Sequence, residues 1–412
     1  MAEPLPDSPR LRSRGDGTVG MVVGVVVAAL MAYLFQLVGG RALGKIEFEP
    51  IAQLWTIHFL AFAIVLLPIE QLTIRRLAIS PSHPLRQDLP LLAGTVGVAA
   101  VAVSVVLYAG RDQLLSGEGV HALQAGLIVL GYGVFAFGRG RLAGSMQYRN
   151  YGFATAGEST LRFIVLLAVL AAAPRSVPVG WAMVTGFLVI FAWRPFRIVR
   201  DDEPHTAPSA AKFLGSYVVA NGASNIVLAA GPIVVKAMDA APGVSSVFFF
   251  TLILMRAPLT LGYSLVARIL HPMSRAVAEG HGRALHVWGR RIVVFGLIMA
   301  AAGYGVGRVL GPVAVELLFG AEFRPSSALA GLIVAGVAAS MASLAATQIL
   351  VARGHTGFLA VAWVVALAAA ALAIVVASGD PDIRVGVGFL VGQVTALSAI
   401  SVAVFSSGRP AL

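Results

Sequence analysis

Twelve apolar runs of about 20 residues constrain the fold of this chain more than any other feature. A helix of that length crosses the hydrocarbon core of a bilayer, because it rises about 1.5 Å per residue. The loops between the runs are too short to hold a soluble catalytic domain. We therefore predict an all-α polytopic membrane protein with about twelve transmembrane helices. The runs are centred near residues 18–38, 50–74, 89–109, 120–138, 155–173, 177–195, 212–237, 243–269, 288–309, 326–350, 356–378 and 385–406.

Composition excludes several other classes of protein. Of the 412 residues, 58% are hydrophobic and 12% are charged, which is typical of polytopic membrane proteins and of no soluble class. The net charge is +11, but the basic residues are scattered through short loops, so we expect no nucleic-acid partner. The chain contains no cysteine, which excludes disulfides, thiolate metal sites and cysteine nucleophiles. We predict neither a metal site nor a cofactor.

The distribution of basic residues predicts the topology. With a cytoplasmic N-terminus, most of the 30 lysines and arginines fall in inner loops, as the positive-inside rule requires. An even number of spans then places both termini in the cytoplasm, and the first apolar run is interpreted as an uncleaved span. A polar linker divides the chain into six spans and six spans. We expect a tail over 1–17, a six-helix bundle over 18–199, a cytoplasmic linker over 200–211, a second six-helix bundle over 212–406 and a tail over 407–412.

An arginine lies inside the apolar run 243–269. A charge at mid-membrane costs about 2.5–3.5 kcal/mol on insertion scales, so such a residue almost always faces a bundle interior, a partner or a water-filled path. On a helix, Arg256, Thr260 and Tyr263 share one face. Pro258 lies among them and predicts a kink or an unwound turn. We predict that this face contributes to a polar interior.

Glu70 is the acidic residue near the cytoplasmic end of the second run. On a continuous helix it shares a face with Thr56 within about 40°. Two interpretations stay open: an interfacial carboxylate that pairs with Arg75 or Arg76, or a proton or cation site that lines a cavity.

Glu158 and Arg162 lie four residues apart in the fifth run, with the glutamate N-terminal to the arginine. This spacing favours an ion pair on one helix. The pair either hides two charges inside a bundle or forms a gate or substrate contact.

Three segments carry a resemblance to a known family. They are GRGRLAGSMQYRNYGFATAGESTLR at 138–162, LLFGAEFRPSSALAGLIVAG at 317–336 and LVGGRALGKIEFEPIAQLW at 37–55. In these segments the chain resembles actinobacterial polysaccharide-biosynthesis membrane proteins of the multidrug/oligosaccharidyl-lipid/polysaccharide (MOP) exporter superfamily, of the O-antigen flippase type. Span number and spacing extend the likeness over essentially the whole chain.

The resemblance implies two six-helix bundles around a central cavity that is lined by spans 1, 2, 7 and 8 and opens alternately to each side. An arginine there suits a phosphate or pyrophosphate, because its planar fork gives bidentate, permanently charged contacts. The chain departs from lipid II flippases of the superfamily, since it has no arginine within spans 1 and 2 and twelve spans rather than fourteen. The residues that the resemblance places on the cavity are Arg256, Thr260, Tyr263, Asn221, Asn225 and Glu70.

Three functions compete. We favour a plasma-membrane flippase for a polyprenyl-pyrophosphate-linked oligosaccharide, with glycan-synthesis or polymerisation proteins as possible partners. The alternative is a cation-coupled efflux antiporter, for which Glu70, Glu158 and Arg162 would serve in ion coupling or gating. A membrane glycosyltransferase or polymerase is suggested only by Glu47 and Glu49, and such enzymes usually carry a large outer domain or loop. We therefore expect no enzymatic activity.

Overall fold

The computed structural model describes residues 14–79, 85–194, 221–259, 282–352 and 357–406. Within these ranges the chain consists of helices and turns and contains no strand. Ten helices there are long and apolar enough to cross a membrane, and Val244–Leu259 is a shorter apolar helix. The prediction of an all-α polytopic membrane protein is confirmed.

The first half contains eight helices. A π-helical turn, Phe62–Leu66, joins α2 to α3 within one span, and a 3₁₀ segment, Gly186–Trp193, extends α8 to the length of a span. The helices are α1 Arg14–Glu47, α2 Glu49–Ala61, α3 Leu67–Ile79, α4 Leu89–Ala109, α5 Arg111–Leu114, α6 Val120–Gly144, α7 Tyr148–Ala172 and α8 Ser176–Thr185.

The second half contains seven helices in its described part. The seventh predicted span is divided at Ala230 into two short helices. Pro232 lies in the first turn of the second helix, a position at which proline favours a helical start. The helices are α9 221–229, α10 Gly231–Ala237, α11 Val244–Met255, α12 Gly282–Phe319, α13 Ser327–Ala352, α14 Gly357–Val376 and α15 Pro381–Ser406.

The helices pack mainly within their own half of the sequence. In the first half α1 lies along α7, and α6 packs against α3 and α4. In the second half α13 packs between α12 and α15, and α15 packs against α14. The arrangement agrees with two helical bundles. The predicted boundary between them lies outside the described residues and stays a prediction.

Two prolines interrupt the spans that approach the centre. Pro68 has no N–H for the carbonyl of Ile64, and the helix widens into the π turn directly before it. Pro258 likewise has no N–H for the carbonyl of Leu254, and α11 ends at Met255. The N–H of Arg256 donates to Leu252 (3.0 Å), and a new helical turn begins at residue 257. The kink predicted from Pro258 is therefore present.

Close packing of α1 on α7 depends on Gly24 and Gly152. A Cβ atom on Gly24 would overlap the backbone of Gly152, and neither backbone can move without separating the two helices. We expect Gly24→Ala to lower the free energy of unfolding by about 1–3 kcal/mol through overpacking. Thermal unfolding in detergent measures the change.

Gly97→Ala is the matched control, because no atom lies within 4 Å of the added Cβ in α4. This substitution should leave stability unchanged or raise it by up to about 1 kcal/mol through helix propensity. Equal unfolding temperatures for the two alanine variants would show that the close approach of Gly24 and Gly152 does not limit the packing of α1 on α7.

Candidate functional site

A cavity of about 490 Å³ lies between the two halves of the chain. It is lined by α1, α2 and α7 from the first half and by α9, α10 and α11 from the second. The predicted central cavity is therefore present, and the fifth span contributes to it in addition to the four expected spans. No carboxylate is among the described lining residues. The polar lining consists of Tyr33, Gln36, Thr56, His58, Thr155, Arg162 and Arg256.

Arg256 lines the cavity, as the sequence predicts. It lies at the C-terminal end of α11, where the helix dipole favours a cation. Its guanidinium carbon is 4.5 Å from the centre of the Phe59 ring, a cation–π distance. Nearby, the Tyr33 hydroxyl donates to the carbonyl of Ile253 (3.3 Å) and joins α1 to α11.

Arg162 forms the predicted ion pair with Glu158, with 2.6 Å between Nη2 and Oε1. Both residues are buried. The carboxylate also accepts hydrogen bonds from the hydroxyls of Tyr132 and Ser159. Arg162 lines the cavity, whereas Glu158 lies behind it. The arrangement therefore presents the cation of the pair to the cavity.

An aromatic stripe on the second span organises these charges. Trp55, Phe59 and Phe62 follow each other at helical spacing, and all three line the cavity. The guanidinium carbon of Arg162 is 4.6 Å from the Trp55 ring, and that of Arg139 is 5.7 Å from the Phe62 ring. With Arg256 on Phe59, three arginines from α6, α7 and α11 each face one ring of the stripe.

Glu70 does not line this cavity, so its predicted cavity position is not found here. It is 2% exposed and accepts hydrogen bonds from Arg139 (3.1 Å) and Tyr151 (2.9 Å). Arg76, one of the expected partners, instead pairs with Asp88 (3.0 Å). The π turn between Thr56 and Glu70 adds to the helical repeat, so the two residues no longer share a face.

Asn221 and Asn225 also lie outside the cavity lining. The Asn225 side chain donates to the carbonyl of Asn221 (2.9 Å), and both residues are partly buried on α9. They lie on roughly the same helical face as Leu228, which does line the cavity, but closer to the predicted cytoplasmic end. Thr260 and Tyr263 lie outside the described residues.

At the predicted outer end, the two halves make direct contacts that we name the outer latch. Glu49 pairs with Lys236 (2.5 Å) and accepts a hydrogen bond from the N–H of Gly243 (3.2 Å). Gln53 donates to Ser245 (2.6 Å). Phenylalanine rings pack next to these polar contacts, since Phe48 lies 4.8 Å from Phe250 between ring centres. These contacts join the two halves of the chain at this end.

Several features of the site are not evident from sequence. Trp55 and Phe59 carry no signal that separates a cation platform from an ordinary core pair. The sequence leaves open whether the Glu158–Arg162 pair is structural or forms a gate or substrate contact, and it does not indicate that Arg162 lines the cavity while Glu158 does not. Glu49 and Lys236 are 187 positions apart, so only the fold brings them together.

Comparisons with known proteins give distant relatives. No family model matches the sequence. Uncharacterized proteins of Mycobacterium bovis and of two strains of Mycobacterium tuberculosis are 27% identical over 298 residues. The matched region covers 69% of this chain and 65% of each relative, slightly less than two thirds of the relatives' own length.

Solved structures of similar fold include transporters of the MOP superfamily. An inward-facing MATE family multidrug resistance transporter of the MOP superfamily has a TM-score of 0.64 at 12% identity, with 95% of this chain and 100% of that chain covered. Lipid II flippase MurJ, in an inward closed conformation, also gives 0.64 at 10% identity, with 94% and 87% covered.

A third structure with this fold is a MOP superfamily transporter from Pyrococcus furiosus. It gives 0.56 at 13% identity, with 95% of this chain and 93% of that chain covered, and its reversed binding-pocket polarity is described as suggesting a different function. These likenesses establish the expected fold, two helical bundles as in the MOP transporters.

The buried pair of Glu158 and Arg162 predicts a large effect of removing one partner. Glu158→Ala leaves the guanidinium without its counter-charge, and we expect a loss of about 3–5 kcal/mol in the free energy of unfolding. Unfolding midpoints in detergent measure the difference.

The matched control is Glu316→Ala, which removes the partner of Arg324 (2.5 Å), a side chain that is 55% exposed. Breaking this exposed pair should cost less than about 1 kcal/mol. If both variants unfolded at the wild-type midpoint, the Glu158–Arg162 pair would not stabilise the bundle.

Proposed function

We propose that the protein is a transporter that moves a polyprenyl-pyrophosphate-linked oligosaccharide from the cytoplasmic to the outer leaflet of the plasma membrane. One observation carries this proposal: the cavity between the bundles is lined by Arg162 and Arg256 and, among the described residues, by no carboxylate. A site of this charge attracts an anion and repels an organic cation.

The chemistry of the arginines supports a phosphate-containing substrate. A guanidinium stays charged at any physiological pH and binds phosphate oxygens through two parallel hydrogen bonds. The lining around it is largely apolar and aromatic, which lowers the local dielectric constant and strengthens the attraction. A polyprenyl pyrophosphate supplies the anion, and its lipid chain can stay in the bilayer while the headgroup crosses.

The charges favour this substrate over a cation exchanged for protons or Na⁺. Such an antiporter needs a carboxylate that alternates between the ion and the substrate. Both candidate carboxylates, Glu70 and Glu158, lie outside the cavity lining, and each is bound by an arginine and a tyrosine. Glu47 and Glu49, the acidic pair that suggests an enzyme, have different partners: Glu49 belongs to the outer latch, and Glu47 accepts a hydrogen bond from the N–H of Ser176 (3.2 Å).

The proposed mechanism is alternating access, and the position of α11 between the cavity and the outer latch supports it. Ser245 of the latch lies near the start of α11, and Arg256 lies at its end. A movement of α11 that draws Arg256 toward a bound anion therefore acts on the latch as well. Rocking of the two bundles, with the predicted linker 200–211 as hinge, would then open the outer side.

The test is translocation of a fluorescent polyprenyl-pyrophosphate oligosaccharide in proteoliposomes. Removal of one charged contact to a phosphate is worth about 1.5–3 kcal/mol, so Arg256→Ala should slow transport by about tenfold or more at limiting substrate. The matched control is Arg175→Ala, which removes an exposed arginine from a predicted outer loop and should transport normally.

The opposite outcome is equally definite. If the wild-type protein does not move the lipid but exchanges a small organic cation for protons down an imposed gradient, the flippase proposal is wrong. Equal transport by wild type and Arg256→Ala would remove the arginine from the substrate site.

A further inference from the structure

Arg162 has more hydrogen-bond donors than its partners use. A guanidinium carries five N–H groups, and the ion pair with Glu158 engages Nη2. Within the described residues, Nε and Nη1 have no acceptor, although Arg162 is only 3% exposed. Three buried N–H groups are therefore left without partners, an arrangement that disfavours the folded state unless another molecule supplies oxygen atoms.

The carboxylate of Glu158, in contrast, is well satisfied. One oxygen accepts from Arg162 and from the Tyr132 hydroxyl, and the other accepts from the Ser159 hydroxyl (2.6 Å). Its negative charge is spread over three donors. The ion pair thus fixes the position of Arg162, a residue of the cavity lining, while its Nε and Nη1 groups stay without an acceptor among the described residues.

Both cavity arginines lie against rings of the aromatic stripe. Arg162 faces Trp55 and Arg256 faces Phe59, at 4.6 and 4.5 Å from the ring centres. These rings are four residues apart on α2, which corresponds to about 6 Å along a helix. The two guanidiniums come from opposite halves of the chain, since Arg162 belongs to α7 and Arg256 follows α11.

We infer that Arg162 is a second anion-binding residue, and that Arg162 and Arg256 together select a diphosphate headgroup over a monophosphate. This inference rests on the proposed function and names the part of the substrate that the cavity distinguishes. A diphosphate has two phosphoryl groups and can contact an arginine of each bundle at once. A monophosphate has one phosphoryl group and offers fewer oxygen atoms for contacts with both arginines.

The experiment compares the binding of farnesyl diphosphate, farnesyl monophosphate and farnesol to the purified full chain at one ionic strength. The variant Glu158→Gln with Arg162→Gln removes the second arginine without leaving a buried carboxylate unpaired. Glu158→Gln alone is the matched control, because it keeps Arg162. Unfolding midpoints verify that each variant is folded.

We expect the wild-type chain to bind the diphosphate about tenfold or more tightly than the monophosphate, from one additional charged contact. The double variant should lose this preference while its monophosphate affinity stays close to that of the wild type. Glu158→Gln should keep the preference. A purely structural role of Arg162 would instead weaken both phosphates equally, or neither, and that result overturns the inference.

Failure of the inference is distinguishable from failure of the proposed function. If the wild type binds both phosphates better than farnesol and the double variant retains the diphosphate preference, Arg162 is not a ligand residue, whereas the flippase proposal stands. If the wild type binds neither phosphate better than farnesol, the proposed function and the inference both fall.

Discussion

The structure depends on how charges are accommodated inside helices that cross a membrane. A guanidinium in this environment needs a counter-charge, an aromatic face or a ligand. The aromatic stripe supplies one ring to each of three arginines, and two of these arginines also have a carboxylate partner, Glu158 or Glu70. The second span is therefore the element around which the first bundle and the end of α11 are arranged.

The stripe also explains why the cavity has a net positive lining. Neither carboxylate partner is in the cavity lining: Glu158 lies one helical turn before Arg162 on α7, and Glu70 lies on α3 beyond the π turn. Charge compensation and exposure of cationic groups are thus achieved by the same residues.

Hydropathy and proline chemistry predict much of this architecture from sequence. The apolar runs give the helices, Pro258 gives the break after Met255, and the i, i+4 spacing gives the Glu158–Arg162 pair. These features depend on neighbours within one helix, which is why a sequence pattern reveals them.

The remainder depends on geometry that no local pattern contains. The π turn before Pro68 changes the direction of Glu70, so extrapolation from Thr56 along an ideal helix fails. The outer latch joins residues far apart in sequence, and among the described residues Leu228 lines the cavity whereas Asn225 on the same helix does not. These results require the packed bundles.

The central claim is that the cavity holds the anionic headgroup of a lipid between two arginines. The most direct measurement is an experimental structure with a bound polyprenyl-pyrophosphate lipid, in which the positions of the phosphorus atoms are determined. Our account predicts phosphate oxygens at about 2.7–3.2 Å from the guanidinium nitrogens of both Arg162 and Arg256. A headgroup located away from both arginines, with its density outside the aromatic stripe, would contradict it.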